Sequence, residues 1–75
     1  MADRSLDASG LRCPMPLLKT KLELNGMSPG EQLEVLATDA GSNRDIPAYV
    51  AMSPHRLVSQ SERNGVYRFM IECGG

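Results

Sequence analysis

Seventy-five residues are enough for one domain, 1–75, and for no more. Eight Lys and Arg stand against nine Asp and Glu, for a net charge of −1; with 41% hydrophobic and 23% charged residues, this balance excludes a disordered acidic tail, a coiled coil and a basic nucleic-acid arm. There is no Trp, and Tyr49, Tyr67 and Phe69 are the only aromatics, so the core has to come from Leu, Val, Ile, Met and Ala.

The opening run Met1-Ala2-Asp3-Arg4-Ser5-Leu6-Asp7 has no apolar region of the secretory kind. No segment nears the roughly 20 apolar residues that a spanning helix needs. Two cysteines are too few for a disulfide scaffold, so the composition predicts a cytoplasmic protein with reduced thiols and no membrane contact.

Leu6 and Ala8 alternate with Ser5 and Asp7, which predicts a short first strand, and Gly10 then permits a turn. A helix follows from about Pro14 or Met15 to Asn25. At 100° per residue Met15, Leu17, Leu18, Leu22 and Leu24 fill a broad apolar arc, with Lys19, Thr20 and Glu23 opposite. Asn25-Gly26 ends this helix, and Ser28-Pro29-Gly30 turns the chain. From Gln32 to Thr38, Leu33, Val35 and Ala37 alternate with Glu34, Leu36 and Thr38, a second strand. Ser42 and Asp45 have the spacing of a capping box, and Ile46, Tyr49 and Val50 follow at helical intervals. Pro47 is awkward in a helix begun at Ser42, so the helix starts nearer Asp45 or is irregular at its front. Arg56 to Glu62 and Val66 to Cys73 are the last strands, and Asn64-Gly65 between them is a two-residue type I′ hairpin turn. The order βαβαββ predicts an α+β, two-layer α/β sandwich, a four-stranded mixed sheet with two helices on one face. In it strands one to three run parallel and the fourth pairs antiparallel.

The run Gly10-Leu11-Arg12-Cys13-Pro14-Met15-Pro16 places a thiol where a loop becomes a helix. Proline loses little at a helix start, where the first N–H groups have no intrahelical partner, and its fixed φ stiffens the approach. Pro14 also biases Cys13 away from the helical region. Cys13 is thus expected just outside the first turn, facing the positive end of the helix. That position and the cation of Arg12 predict a thiol acidified below about 8.5 and ready to act as a thiolate nucleophile.

Cys73 shares strand parity with Tyr67, Phe69 and Ile71, which predicts a thiol packed against the core at a fraying strand end. A redox pair with Cys13 would lack the Cys-x-x-Cys arrangement. His55, the lone histidine, follows Ser53-Pro54 in a turn and is expected to be solvated; no metal-ligand spacing is present. The terminal Gly74-Gly75 allows a second sulfur chemistry, a C-terminal thiocarboxylate, beside the plain reading of a frayed end.

Leu6-Asp7-x-x-Gly10-Leu11-Arg12-Cys13-Pro14-x-Pro16 resembles the signature of the TusA (SirA-like) sulfur-carrier family. The likeness continues through Pro29-Gly30-Glu31, Asp39, Arg44-Asp45-Ile46-Pro47 and the Gly-Gly tail, and so spans the chain. The resemblance implies a single βαβαββ sulfur-carrier domain in which Cys13 accepts sulfane sulfur as a persulfide from a cysteine desulfurase. The sulfur then passes to a downstream acceptor protein, in one branch toward 2-thiolation of the tRNA wobble uridine. Arg12, Pro14 and Pro16 present the sulfur, and no cofactor is required. The alternatives are a non-catalytic RNA- or protein-binding regulatory module and the Gly-Gly thiocarboxylate carrier. Direct nucleic-acid binding is not expected at a net charge of −1 with so few aromatics.

Overall fold

The computed structural model describes residues 3–74. Strand β1 (Arg4–Ala8) leads to helix α1 (Met15–Asn25), then β2 (Gln32–Ala37), α2 (Ser42–Ala51), β3 (Arg56–Arg63) and β4 (Val66–Glu72). The sheet order is β1-β2-β4-β3. β1 pairs parallel with β2, while β4 pairs antiparallel with both β2 and β3, so the first three strands share one direction as expected. The hairpin turn forms with Asn64 at φ 53° and Gly65 at φ 81°, the two positive angles a type I′ turn requires.

Period-two alternation decides which sheet face is covered. Leu33, Val35 and Ala37 on β2 and Phe69 and Ile71 on β4 are fully buried, with Ala8 at the end of β1. Leu24 of α1 and Ile46 and Val50 of α2 close the core from above. α1 lies on β1 and β2, α2 on β3 and β4, and the helices touch each other. On the opposite sheet face Arg68 pairs with Glu34, and Arg56 with Glu72 at 2.6 Å.

α1 departs from the expected arc. Its buried residues are Pro16, Thr20 and Leu24, whereas Met15, Leu18 and Leu22 are exposed. Thr20 tolerates burial because its hydroxyl donates to the Pro16 carbonyl at 2.8 Å, which satisfies its one polar side-chain group inside the helix. Pro16 is both a helix-start residue and a core residue. Counting it only as punctuation turns the inferred buried face the wrong way.

α2 runs through Pro47 and begins at Ser42, with Gly41 as N-cap and no side-chain cap. Pro47 has no N–H to offer the Asn43 carbonyl four residues back. Gln60 of β3 meets that gap: its Nε2 donates to Asn43 Oδ1 at 2.8 Å and lies 3.4 Å from the Asn43 carbonyl oxygen. The capping box does not form, because the N-cap is Gly41 and Ser42 is already inside the helix; the Asp45 carboxylate accepts from Cys13 instead.

Candidate functional site

Parallel pairing of β1 and β2 brings their carboxyl ends together, so the two strand-to-helix loops that follow them are neighbours. The Gly10 N–H donates to Thr38 Oγ1 at 2.9 Å and ties the first loop to the second. Crevices outside the carboxyl ends of parallel strands are the usual place for function in such sheets. Cys13 sits in the first loop, one residue before the Pro14 N-cap of α1, and its side chain is exposed. Gly41 in the second loop allows the close approach. A Cβ there would lie 3.4 Å from Cys13 Cβ and 2.9 Å from Asp39 Oδ2.

The thiol is a donor in this site. Cys13 Sγ lies 2.9 Å from Asp45 Oδ2, so a carboxylate on the first turn of α2 accepts its hydrogen. The Cys13 pKa is accordingly raised, first by the hydrogen bond to Asp45, then by desolvation and by the charges of Asp45 and Asp39; only Arg44 acts in the other direction. This reverses the acidified thiol expected from the sequence, for two physical reasons. The prolines that shape the helix start have no N–H to point at sulfur, and the Met15 N–H is already bonded to the Arg12 carbonyl at 2.8 Å. The N–H groups of Ser42, Asn43, Arg44 and Asp45 at the front of α2 are likewise bonded to nearby backbone carbonyls. Arg12 is exposed and forms no ion pair among the described residues.

Pro14 is exposed beside the thiol, while the Pro16 side chain is fully buried. Met15, Leu18 and Leu22 form an exposed apolar row that starts next to Cys13. Cys73 is 2% exposed, with Sγ 3.6 Å from the Leu24 carbonyl oxygen and 3.7 Å from that of Met27. Its backbone is not frayed: the N–H donates to Glu31, and the carbonyl accepts from Gly30, each at 2.8 Å. The two thiols therefore flank opposite ends of α1, whose eleven residues span about 16 Å, well beyond the roughly 7 Å limit for a disulfide. His55 is half-buried rather than solvated. Its Nδ1 accepts the Gly74 N–H at 2.9 Å, and its ring lies 6.2 Å from that of Tyr49. Gly75, the thiocarboxylate candidate, lies outside the described residues.

Asp39, Gly41 and Asp45 were not singled out as site residues by the sequence reasoning. Asp45 entered as half of a capping box, and Asp39 and Asp45 otherwise only as part of the stretch that carries the family resemblance. The usable signal was topological: if the first two strands are parallel neighbours, the residues just after each of them share one edge.

Fold and site together define a class, two-layer α/β sandwiches with one exposed cysteine at the carboxyl edge of the parallel strand pair. Comparison with known proteins makes the class specific. The chain belongs to the TusA family, since the family model described as sulfurtransferase TusA matches residues 4–73. It is 44% identical over 70 residues to a protein named sulfur carrier protein TusA from Allochromatium vinosum, covering 93% of this chain and 92% of that one. It is 40% identical over 73 residues to the putative sulfur carrier protein YrkI of Bacillus subtilis, covering 97% of each. The crystal structure of a SirA-like protein from Desulfitobacterium hafniense superposes with a TM-score of 0.84 at 24% identity, over 96% of this chain and 99% of that one, a likeness of fold. Among the described residues no helix is long and apolar enough to cross a membrane.

Proposed function

We propose that residues 1–75 act as one sulfur-carrier domain. Cys13 accepts sulfane sulfur as a persulfide from a cysteine desulfurase and relays it to an acceptor protein, with tRNA 2-thiouridine formation as the destination. The observation that carries the reading is the placement of Cys13: of two cysteines, it is the one exposed, on a loop at the carboxyl edge of β1 and β2. Family membership and two relatives named as sulfur carriers, or putatively so, support the cargo. Arg12, Pro14 and Pro16 are the presenting residues. Pro14 stiffens the approach to the thiol, and Pro16 anchors the helix start in the core.

The chemistry needs a thiolate and a donor persulfide. The thiolate attacks the outer sulfur of the donor, the donor S–S bond breaks, and the sulfane sulfur stays on Cys13. An acceptor thiolate later repeats the attack on that same outer sulfur and releases Cys13. No net oxidation or reduction occurs in either transfer.

The test is an intact mass after incubation with a cysteine desulfurase and cysteine, before and after a thiol reductant. A reducible gain of one sulfur atom at Cys13, absent in Cys13→Ser, is the expected result. A gain mapped to the C-terminus would replace this reading with thiocarboxylate chemistry. No gain at all would leave a binding module.

A further inference from the structure

The site holds a feature that sulfur carriage by itself does not call for: a carboxylate bonded to the thiol that has to become a nucleophile. Asp45 Oδ2 accepts from Cys13 Sγ at 2.9 Å, and the other oxygen, Oδ1, lies 3.6 Å from Arg44 Nε. Arg44 is a loose partner, since 85% of its side chain is exposed. Behind them stands Asp39, whose Oδ2 is buried and has no hydrogen-bond partner among the described residues. That oxygen and the Cys13 sulfur both lie within 4 Å of the same point beside Gly41.

The groups that act on the thiol are therefore Asp45 and Arg44 from α2 and Asp39 from the loop after β2. Arg12, on the thiol's own loop, is exposed. Two carboxylates and one loosely held guanidinium leave the surroundings of the sulfur short of positive charge.

We propose that Asp45 is a positioning residue that holds the Cys13 S–H in a resting hydrogen bond, and that sulfur exchange begins when a Lys or Arg of the sulfur-donor protein takes over this carboxylate. The inference rests on the persulfide reading of Cys13 and adds the chemistry of the donor's docking face, a cation set to meet Asp45. Once Asp45 is drawn to that cation, the Cys13 proton passes to water and the thiolate attacks the outer sulfur of the donor persulfide. A new S–S bond forms at Cys13 as the donor's breaks, and the donor cysteine leaves as a thiolate that takes up a proton. The sulfane sulfur moves without net redox change. In the absence of a partner, the same hydrogen bond keeps an exposed thiol in its less reactive protonated form.

The experiment compares the wild type with Asp45→Asn and Asp45→Glu in two assays. In the first, alkylation of Cys13 in the free protein is followed against pH by peptide mass. Asp45→Asn should shift the alkylation midpoint down, raising the rate at neutral pH by about tenfold for a shift of one unit, whereas Asp45→Glu should stay near the wild type. In the second, loading by a persulfidated cysteine desulfurase is resolved into kcat and KM at several salt concentrations. Here Asp45→Asn should move the opposite way, with a several-fold higher KM for the donor and a flatter salt dependence, despite its more reactive thiol. An unchanged alkylation midpoint in Asp45→Asn overturns the resting hydrogen bond. An unchanged KM and salt dependence overturns the docking cation. Failure of the wild type to take sulfur at Cys13 sinks the persulfide reading and the docking step with it, while the alkylation profiles still decide what Asp45 does to the thiol. Asp39→Asn, which leaves the S–H bond in place, serves as a second variant: it should lower the midpoint less than Asp45→Asn, and an equal or larger drop overturns the assignment to Asp45.

Discussion

Leu22 and Leu24 lie two residues apart on α1, about 160° around its axis, and substituting each by Ala should give opposite outcomes. Leu24 is 1% exposed and belongs to the main core cluster, whereas Leu22 is 71% exposed. Removing a buried leucine side chain and leaving part of its volume empty costs about 2–5 kcal/mol. A 75-residue domain has about 4–11 kcal/mol in total, at roughly 0.05–0.15 kcal/mol per residue. Leu24→Ala therefore removes from about a fifth of the stability to all of it. At about 4–8 °C per kcal/mol, a loss of about 3 kcal/mol lowers Tm by roughly 12–24 °C. Leu22→Ala leaves no cavity and gains slightly in helix propensity, so its change should stay within about 0.5 kcal/mol. Urea and thermal unfolding followed by circular dichroism measure both variants. Equal losses, or a larger loss for Leu22→Ala, would mean that α1 buries the other side and that the packing described above is wrong.

The remaining expectations concern the other unusual residues. Pro47→Ala returns an N–H to the Asn43 carbonyl and removes a residue that disfavours helix interiors, so the unfolding free energy from urea titration should rise, by about 1 kcal/mol or more after the entropy gained by the unfolded chain is deducted. Pro14→Ala should leave stability near the wild type but slow single-turnover sulfur hand-over from the loaded protein, while Pro16→Ala, at a fully buried position, should lower the unfolding free energy by about 1 kcal/mol, read from urea titration. Cys73 should alkylate far more slowly than Cys13 in the native protein. Cys73→Ala should keep sulfur transfer near normal at a cost of about 1 kcal/mol, with peptide mapping and unfolding midpoints as the two measurements.

Strand parity and turn chemistry were legible because they are local. The alternation of Leu33, Val35 and Ala37, and of Phe69, Ile71 and Cys73, maps directly onto the buried face, and Asn64-Gly65 forms the turn its residues favour. Burial on α1 was not legible from side-chain hydropathy. A threonine that bonds its own helix and a proline that packs as a hydrophobe occupy the core, while Met15, Leu18 and Leu22 face outward. The insertion of β4 between β2 and β3 is a long-range choice that no local pattern encodes. At the site, Cys13 stood out by its surroundings in the chain, but its acidity did not, because that depends on a carboxylate 32 residues away. Helix-start electrostatics suggested one sign, and the tertiary neighbours imposed the other.

The placement of Cys73 at the far end of α1 bears on how long a sulfur atom can stay aboard. On the proposed reading, no thiol of the same molecule can reach the outer sulfur on Cys13, so the carrier cannot discharge itself by closing an internal disulfide. Discharge is bimolecular by construction. The dwell time of the cargo is then set by the surrounding solution, through competition between docking acceptors and free small thiols for the same exposed atom.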